Sequence, residues 1–186
     1  MGEEDNCIYE LRPGTGFTGG RICPGGGSGF AAAQRGLAYD PASDTFYAGS
    51  WNDMSIQQFR PDGTLLRRRA VGLAISGLAY NPDTRHLFAM VSAEVTKIYV
   101  LDAGHDFAAV GAFDIGDNLL GAYSGAGLEM GCDGSLWLVD QSNGRVYDVS
   151  SGEKTTACEA EAPWFSVNPA YVDLQPGEHQ LSLIHI

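Results

Sequence analysis

Short segments in which apolar and polar residues alternate make up most of the chain between residues 8 and 150. A period of two residues indicates β-strands with one buried face. Pro41, Pro61 and Pro82, together with Asp-Gly turns, interrupt every stretch that is long enough for a helix. The pattern therefore predicts an all-β chain of many short strands joined by tight turns.

A sequence repeat relates three parts of the chain. Residues 36–41 (Gly-Leu-Ala-Tyr-Asp-Pro) recur as residues 77–82 (Gly-Leu-Ala-Tyr-Asn-Pro), and a looser copy begins at Gly127, so the spacings are 41 and 50 residues. Such periods are typical of the four-stranded blades of β-propellers. The predicted strands are 36–39, 45–50, 55–59 and 64–70 in the first repeat, 77–80, 86–91, 96–101 and 108–115 in the second, and 127–130, 135–139, 145–149 and a last strand near Thr155 in the third.

The segment before the first full repeat also fits the pattern. Residues 8–13 resemble residues 56–61, a third strand with its exit turn, so the chain begins halfway through a blade. The sequence therefore predicts a partial β-propeller of about three and a half four-stranded blades, and since a ring typically closes with about 4 to 8 blades, further blades are expected upstream. Within residues 1–157, the predicted parts are a half blade at 1–30 and blades at 36–71, 76–115 and 126–157.

Three motifs carry a resemblance to known proteins: Gly-Leu-Ala-Tyr-Asp-Pro at 36–41, Thr-Phe-Tyr-Ala-Gly-Ser-Trp-Asn at 45–52, and Gly-Leu-Glu-Met-Gly-Cys-Asp-Gly-Ser-Leu-Trp at 127–137. They resemble blades of the bacterial propeller group that includes the NHL, YWTD and gluconolactonase-like proteins. The similarity covers about residues 7–151. It is specific for architecture and says little about activity, because one fold hosts many functions.

The end of the chain differs from the repeats. Residues 162–169 (Ala-Pro-Trp-Phe-Ser-Val-Asn-Pro) and 173–177 resemble the opening of a BACON-type immunoglobulin-like module, so residues 158–180 are expected to hold the first strands of an Ig-like β-sandwich. Residues 181–186 match the translation of a sequencing adapter, and we expect the natural sequence to stop near Gln180. The resemblance implies a larger exported or cell-surface protein, sometimes a subtilisin-like protease.

Charge and hydropathy narrow the classes of partner. The 23 acidic residues outnumber the 11 basic ones, for a formal charge of -12 in 186 residues. Such a surface repels phosphate backbones, so nucleic acid is not an expected partner. No apolar run approaches the roughly 20 residues of a membrane-spanning helix. No signal peptide follows Met1, and for an extracellular or cell-surface protein we expect one upstream.

Four cysteines permit two disulfides in an exported chain. Of the three pairings, we favour Cys7 with Cys23 and Cys132 with Cys158, because each pair would join neighbouring strands at one blade edge. Free buried thiols are the alternative. The spacing contains no Cys-x-x-Cys, which argues against a zinc site.

Candidate binding residues follow from their position in the repeat. Turns between second and third strands, and loops from a fourth strand to the next blade, lie on one face of a propeller around its channel. Trp51 could stack a sugar ring or a peptide side chain there, or could instead pack between blades. The candidate ligand-binding residues are Trp51, Asn52, Asp53, Glu94, Gln141 and Asn143, with Ser76, Tyr123 and Ser124 on the inter-blade loops.

Three functions remain open from the sequence. The first is a non-catalytic binding or scaffold propeller in an exported multidomain protein, with a protein, peptide or carbohydrate ligand; no nucleophile–base motif is recognisable. The second is a gluconolactonase-like hydrolase that uses a metal, for which Glu129 is the candidate ligand, although its counterparts Ala38 and Ala79 are apolar. The third is an accessory region of a secreted protease. No cofactor is expected, although Ca²⁺ in the centre of a closed ring stays open.

Overall fold

A computed structural model describes residues 7–12, 14–24, 34–91, 97–116, 125–156, 166–168 and 183–185. Antiparallel sheets account for almost all of its regular structure, and a single turn of 3-10 helix at Ala103–His105 is the one helical element among the described residues. The predicted all-β fold class is confirmed.

The strands follow the repeat. A hairpin is formed by β1 (Ile8–Arg12) and β2 (Gly16–Ile22). The first blade contains β3 (Gln34–Asp40), β4 (Thr45–Ser50), β5 (Ser55–Phe59) and β6 (Leu65–Ala70), and the second contains β7 (Ile75–Asn81), β8 (His86–Val91), β9 (Lys97–Asp102) and β10 (Ala108–Asp114). The third blade contains β11 (Gly125–Met130), β12 (Ser135–Asp140) and β13 (Arg145–Ser150), and each strand pairs with its neighbour in the chain.

The inner strands β3, β7 and β11 share a local irregularity. In each, the pairing with the next strand shifts by one residue just before the repeat glycine, between Gln34 and Gly36 in β3 and at the equivalent places in β7 and β11. A β-bulge of this kind increases the local twist of a strand. The same bulge in three strands gives the three blades one common shape.

Packing between the blades follows a single rule. We call the side of a blade that faces the next blade along the chain its forward face, and the opposite side its back face. Each core cluster joins one forward face to the next back face: Ile8 of the hairpin packs on Ala48 and Phe59, Tyr47 and Ile56 pack on Leu78 and Leu87, and Phe88, Met90 and Ile98 pack on Leu128, Leu136 and Leu138. The core is therefore a series of similar interfaces between blades.

The last part of the chain differs from one expectation. Residues 151–156 form no strand, so the fourth strand predicted near Thr155 is not present there. Instead, these residues form hydrogen bonds with the turn between β7 and β8. Two short strands, β14 (Ser166–Asn168) and β15 (Leu183–His185), pair antiparallel, and β15 lies in the segment predicted to come from an adapter.

Among the described residues, no helix has the length and the apolar character needed to span a membrane.

Candidate functional site

The turn after β4 carries three of the predicted binding residues. Trp51 is half-buried and Asn52 is exposed. The Asp53 carboxylate accepts a hydrogen bond from the Ser55 hydroxyl (2.9 Å) and forms an ion pair with Arg68. Burial alone would raise the pKa of Asp53, but hydrogen bonds from side chains and the charge of Arg68 outweigh it and lower the pKa. Asp53 therefore holds the turn against its own sheet.

Met54 belongs to the same turn and was not predicted. Its backbone has a φ of 49°, and its carbonyl accepts hydrogen bonds from the amides of Val71 (2.8 Å) and Gly72 (3.2 Å). The side chain is 44% exposed. A positive φ is uncommon for an unbranched apolar residue, and no sequence signal marks it. With Trp51, Met54 gives this turn an accessible apolar surface.

The turn after β12 carries Gln141 and Asn143, which are both exposed. The buried Asp140 carboxylate accepts hydrogen bonds from the backbone amides of Ser142 (3.1 Å) and Asn143 (3.3 Å) and from Asn143 Nδ2 (2.5 Å). Asp is frequent in such turns because its side chain can replace a backbone acceptor. The amide of Asn143 is thus used to fix the turn, and Gln141 is the more accessible of the two side chains.

The predicted binding residues that the structure describes lie mainly in two separate turns. The two turns belong to the first and third blades, each at the end of a second strand. The equivalent turn of the second blade, with Glu94, lies outside the described residues, and so do Tyr123 and Ser124. Ser76 was expected on a loop, but it lies in β7, is 2% exposed and donates a hydrogen bond to the Met90 carbonyl (3.2 Å). It is a core residue because β7 begins earlier than the apolar pattern indicated.

A cavity of about 390 Å³ lies at the opposite ends of the inner strands. Its lining includes Tyr39, Phe46, Tyr80 and Glu129. Burial raises the pKa of the Glu129 carboxyl, against the opposing effect of a hydrogen bond from the Met130 amide (3.2 Å). Glu129 thus keeps contact with solvent and lies beside a cavity that residues of all three inner strands line.

The residues around Glu129 do not fit a metal site. Its counterparts in the first two blades, Ala38 and Ala79, present methyl groups where a hard cation would need oxygen ligands. The part of the chain that the structure describes contains no group of three or more His, Cys, Asp or Glu side chains that could hold a metal ion. We therefore derive no metal-dependent step for these residues.

The apolar residues that line the cavity on the first blade occupy positions that form a contact between blades elsewhere in the chain. Leu37, Tyr39 and Phe46 lie on the back face of the first blade, and their counterparts in the second blade, Leu78, Tyr80 and Leu87, are buried against the first blade. In the first blade the same positions are partly exposed. This part of the cavity lining therefore has the composition of a contact surface between blades.

The disulfide prediction is confirmed in the part that is described. Cys7 and Cys23 are bonded to each other across the β1–β2 hairpin, with their Cα atoms 4.6 Å apart. Cys132 is also disulfide-bonded. Its expected partner, Cys158, lies outside the described residues.

Comparison with known proteins identifies the fold. No known protein family matches the chain. No curated protein matches it either. Among solved structures, a catalytically inactive virginiamycin B lyase from Staphylococcus aureus with quinupristin is similar over 82% of this chain and 48% of its own length, with 17% identity and a TM-score of 0.53. A dihydro-heme d1 dehydrogenase is similar over 83% of this chain and 32% of its own length, with 15% identity and a TM-score of 0.52. Hydrazine synthase from Kuenenia stuttgartiensis is similar over 79% of this chain and 44% of its own length, with 16% identity and a TM-score of 0.52.

These similarities show a β-propeller-like fold. The chain spans less than half the length of the solved structures that it matches here. At such low sequence identity the likeness concerns the arrangement of strands alone, because this architecture supports many unrelated functions.

Proposed function

We propose that this β-propeller-like chain is a non-catalytic binding or scaffold region of a larger exported protein, and that its ligand contacts the turns after β4 and β12. One observation carries the proposal. The Asp53 carboxylate holds its turn through the side chains of Ser55 and Arg68, and the Asp140 carboxylate holds the other turn through backbone amides. Beside them, Trp51, Met54 and Gln141 keep accessible surface. Aromatic and amide groups on a preorganised frame suit a peptide or a carbohydrate, since little entropy is lost when they bind.

The frame behind these turns supports the same proposal. Where β3 meets β7, a Cβ atom on Gly36 would lie 2.8 Å from the backbone nitrogen of Leu78. A real Cβ atom does not come that close to a backbone atom, so only glycine fits at this position. The backbones of the two inner strands therefore pack directly against each other. A frame of this kind would hold turns of different blades at fixed separations.

Export is supported by the disulfides. The bond between Cys7 and Cys23 and the bonded state of Cys132 are typical of proteins that fold in an oxidising compartment. We therefore propose that the protein lies outside the cell or on its surface.

The assignment of the residues after the third blade is also a proposal. We propose that residues 158–180 begin an Ig-like module of the BACON type and that residues 181–186 derive from an adapter. Recovering the complete reading frame tests both statements. A frame in which residues 181–186 are followed by further natural coding sequence would contradict the adapter origin.

Binding can be tested with the full chain and two kinds of probe. We would add cellotetraose and a proline-rich decapeptide separately to isotopically labelled protein and follow backbone and indole NMR signals. Saturable shifts at Trp51 and Gln141 are expected for one probe, and Trp51→Ala should remove them. The matched control is Trp137→Ala, which removes an exposed tryptophan from a different part of the molecule.

Two results would contradict the proposal. Shifts confined to the cavity around Tyr39 and Glu129 would move the binding site to the opposite ends of the inner strands. Turnover of a lactone by the purified chain, lost in Glu129→Gln, would replace a binding function with a hydrolytic one.

A further inference from the structure

The forward face of the third blade exposes three large apolar side chains. Strand pairing places Glu129 opposite Trp137, Trp137 opposite Asp148, and Val139 opposite Val146. Trp137, Val139 and Val146 are 48%, 40% and 59% exposed. We call this surface the open face, and its residues are Gly127, Glu129, Trp137, Val139, Val146 and Asp148.

The same positions are buried in the other two blades. The counterparts of Trp137 are Tyr47 and Phe88, which are 2% and 0% exposed. The counterparts of Val146 are Ile56 and Ile98, which are fully buried. In both blades these residues are covered by the back face of the next blade. The open face therefore continues a series of two established interfaces with the same positions.

Glycine at the repeat position shows what those interfaces require. A Cβ atom on Gly36 would lie 2.8 Å from the Leu78 nitrogen, and one on Gly77 would lie 2.8 Å from the Leu128 nitrogen. A Cβ atom on Gly127 would meet the Val139 side chain at 3.8 Å, which is an ordinary contact. The structure therefore gives a reason for glycine at positions 36 and 77, whereas position 127 has space for a side chain.

We propose that the open face is the docking surface for a further blade of the same repeat, whose inner strand places a leucine against Gly127. The glycine keeps the close approach available, and Trp137 and Val146 supply the apolar contact. Glu129 and Asp148 lie where the first blade has Ala38 and Gln58, so the docking blade should offer hydrogen-bond donors or basic groups opposite them. This inference concerns assembly and is independent of the ligand proposed for the turns.

The test compares the effects of Gly77→Ala and Gly127→Ala on the stability of two proteins. One is the full chain, and the other is the full chain with a second copy of residues 71–116 joined to its end by a flexible linker. In the full chain, Gly77→Ala should lower Tm by about 3 °C or more because the methyl group clashes with the third blade, whereas Gly127→Ala should leave Tm unchanged. In the extended protein, Gly127→Ala should become as destabilising as Gly77→Ala.

A second measurement reports on the surface directly. The indole NMR signal of Trp137, assigned by its loss in Trp137→Phe, should be protected from a soluble paramagnetic agent in the extended protein and exposed in the full chain. The proposal is overturned if Gly127→Ala stays neutral and the indole stays exposed after the extension. It is also overturned if the unextended chain forms a dimer that Gly127→Ala disrupts, because the open face would then bind a second copy.

Discussion

The Glu153 carboxylate lies 2.5 Å from the Nδ1 atom of His86, and this contact fastens the segment after the third blade to a turn of the second blade. Its other oxygen accepts hydrogen bonds from Asn81 Nδ2 (2.8 Å) and the Thr84 hydroxyl (2.7 Å). Asn81 also donates to the Lys154 carbonyl (3.0 Å). Residues about 70 positions apart thus form one polar cluster, which joins the turn to the exit of the third blade.

Asn81 should be the most sensitive member of this cluster. It is fully buried, so Asn81→Ala would remove the hydrogen bonds that its side chain donates to the Glu153 carboxylate and to the Lys154 carbonyl. We expect the free energy of unfolding to fall by about 1–3 kcal/mol, measured by urea denaturation. Asn52→Ala, at an exposed position, should cost less than about 0.5 kcal/mol. Equal effects of the two substitutions would show that the cluster does not stabilise the fold.

The disulfide between Cys7 and Cys23 should stabilise the N-terminal hairpin. The bond closes a loop with a sequence separation of 16 residues, and the hairpin packs on the first blade through Ile8. The double substitution Cys7→Ser and Cys23→Ser should lower the free energy of unfolding of this region by about 2–4 kcal/mol. Hydrogen exchange of the β1 amides measures the loss locally. Unchanged protection of β1 in the double variant would contradict it.

Trp137 and Phe88 occupy equivalent positions in different surroundings. Phe88 is buried between the second and third blades, whereas Trp137 lies on the open face. We expect Phe88→Thr to cost about 3 kcal/mol or more and Trp137→Thr to cost much less. Urea denaturation of both variants and of the parent protein measures the two costs. A large loss of stability in Trp137→Thr would mean that the open face is already covered in solution.

The repeat made much of the fold predictable from the sequence. Strands β4, β5 and β8 begin and end where the alternation placed them. Asp-Pro, Asn-Asp and Asp-Gly turns limit β4 and β5, and an Asn-Pro turn precedes β8. The inner strands β3, β7 and β11 begin earlier in the sequence than the alternation predicted. There the bulge before each repeat glycine breaks the period of two, so alternation alone could not detect the added residues.

Contacts between blades were not predictable in the same way. Three consecutive arginines at residues 67–69 are a pattern typical of a solvated strand face. Arg67, however, donates hydrogen bonds to Gln58 Oε1 (2.7 Å) and the Ala103 carbonyl (2.5 Å) and lies 4.1 Å from the centre of the Phe107 ring. The partners come from two blades, and their proximity depends on tertiary packing. The turns after β4 and β12 do lie between a second and a third strand, as the repeat predicted, and their role in binding stays a prediction. The hydrogen bonds of Asp53 and Asn143 could be seen only in the structure.

Glu129 should make the free energy of unfolding depend on pH. Burial raises the pKa of its carboxyl above the ordinary value of a glutamate, so the folded protein binds this proton more readily than the unfolded chain does. The ionised carboxylate therefore destabilises the fold at neutral pH. That penalty disappears as the pH falls below the ordinary pKa of an unfolded glutamate.

Glu129→Gln should consequently be more stable than the parent at pH 7, and the difference should shrink to nothing near about pH 4. Urea denaturation of both proteins at several pH values measures the difference. Asp148→Asn is the matched control, since it removes one negative charge from the same face and lies outside the cavity lining. A gain in stability of the same size in the control would assign the effect to the net charge of -12 rather than to the burial of Glu129. A Glu129→Gln variant that is less stable than the parent at pH 7 would mean that the carboxylate has a favourable partner in solution.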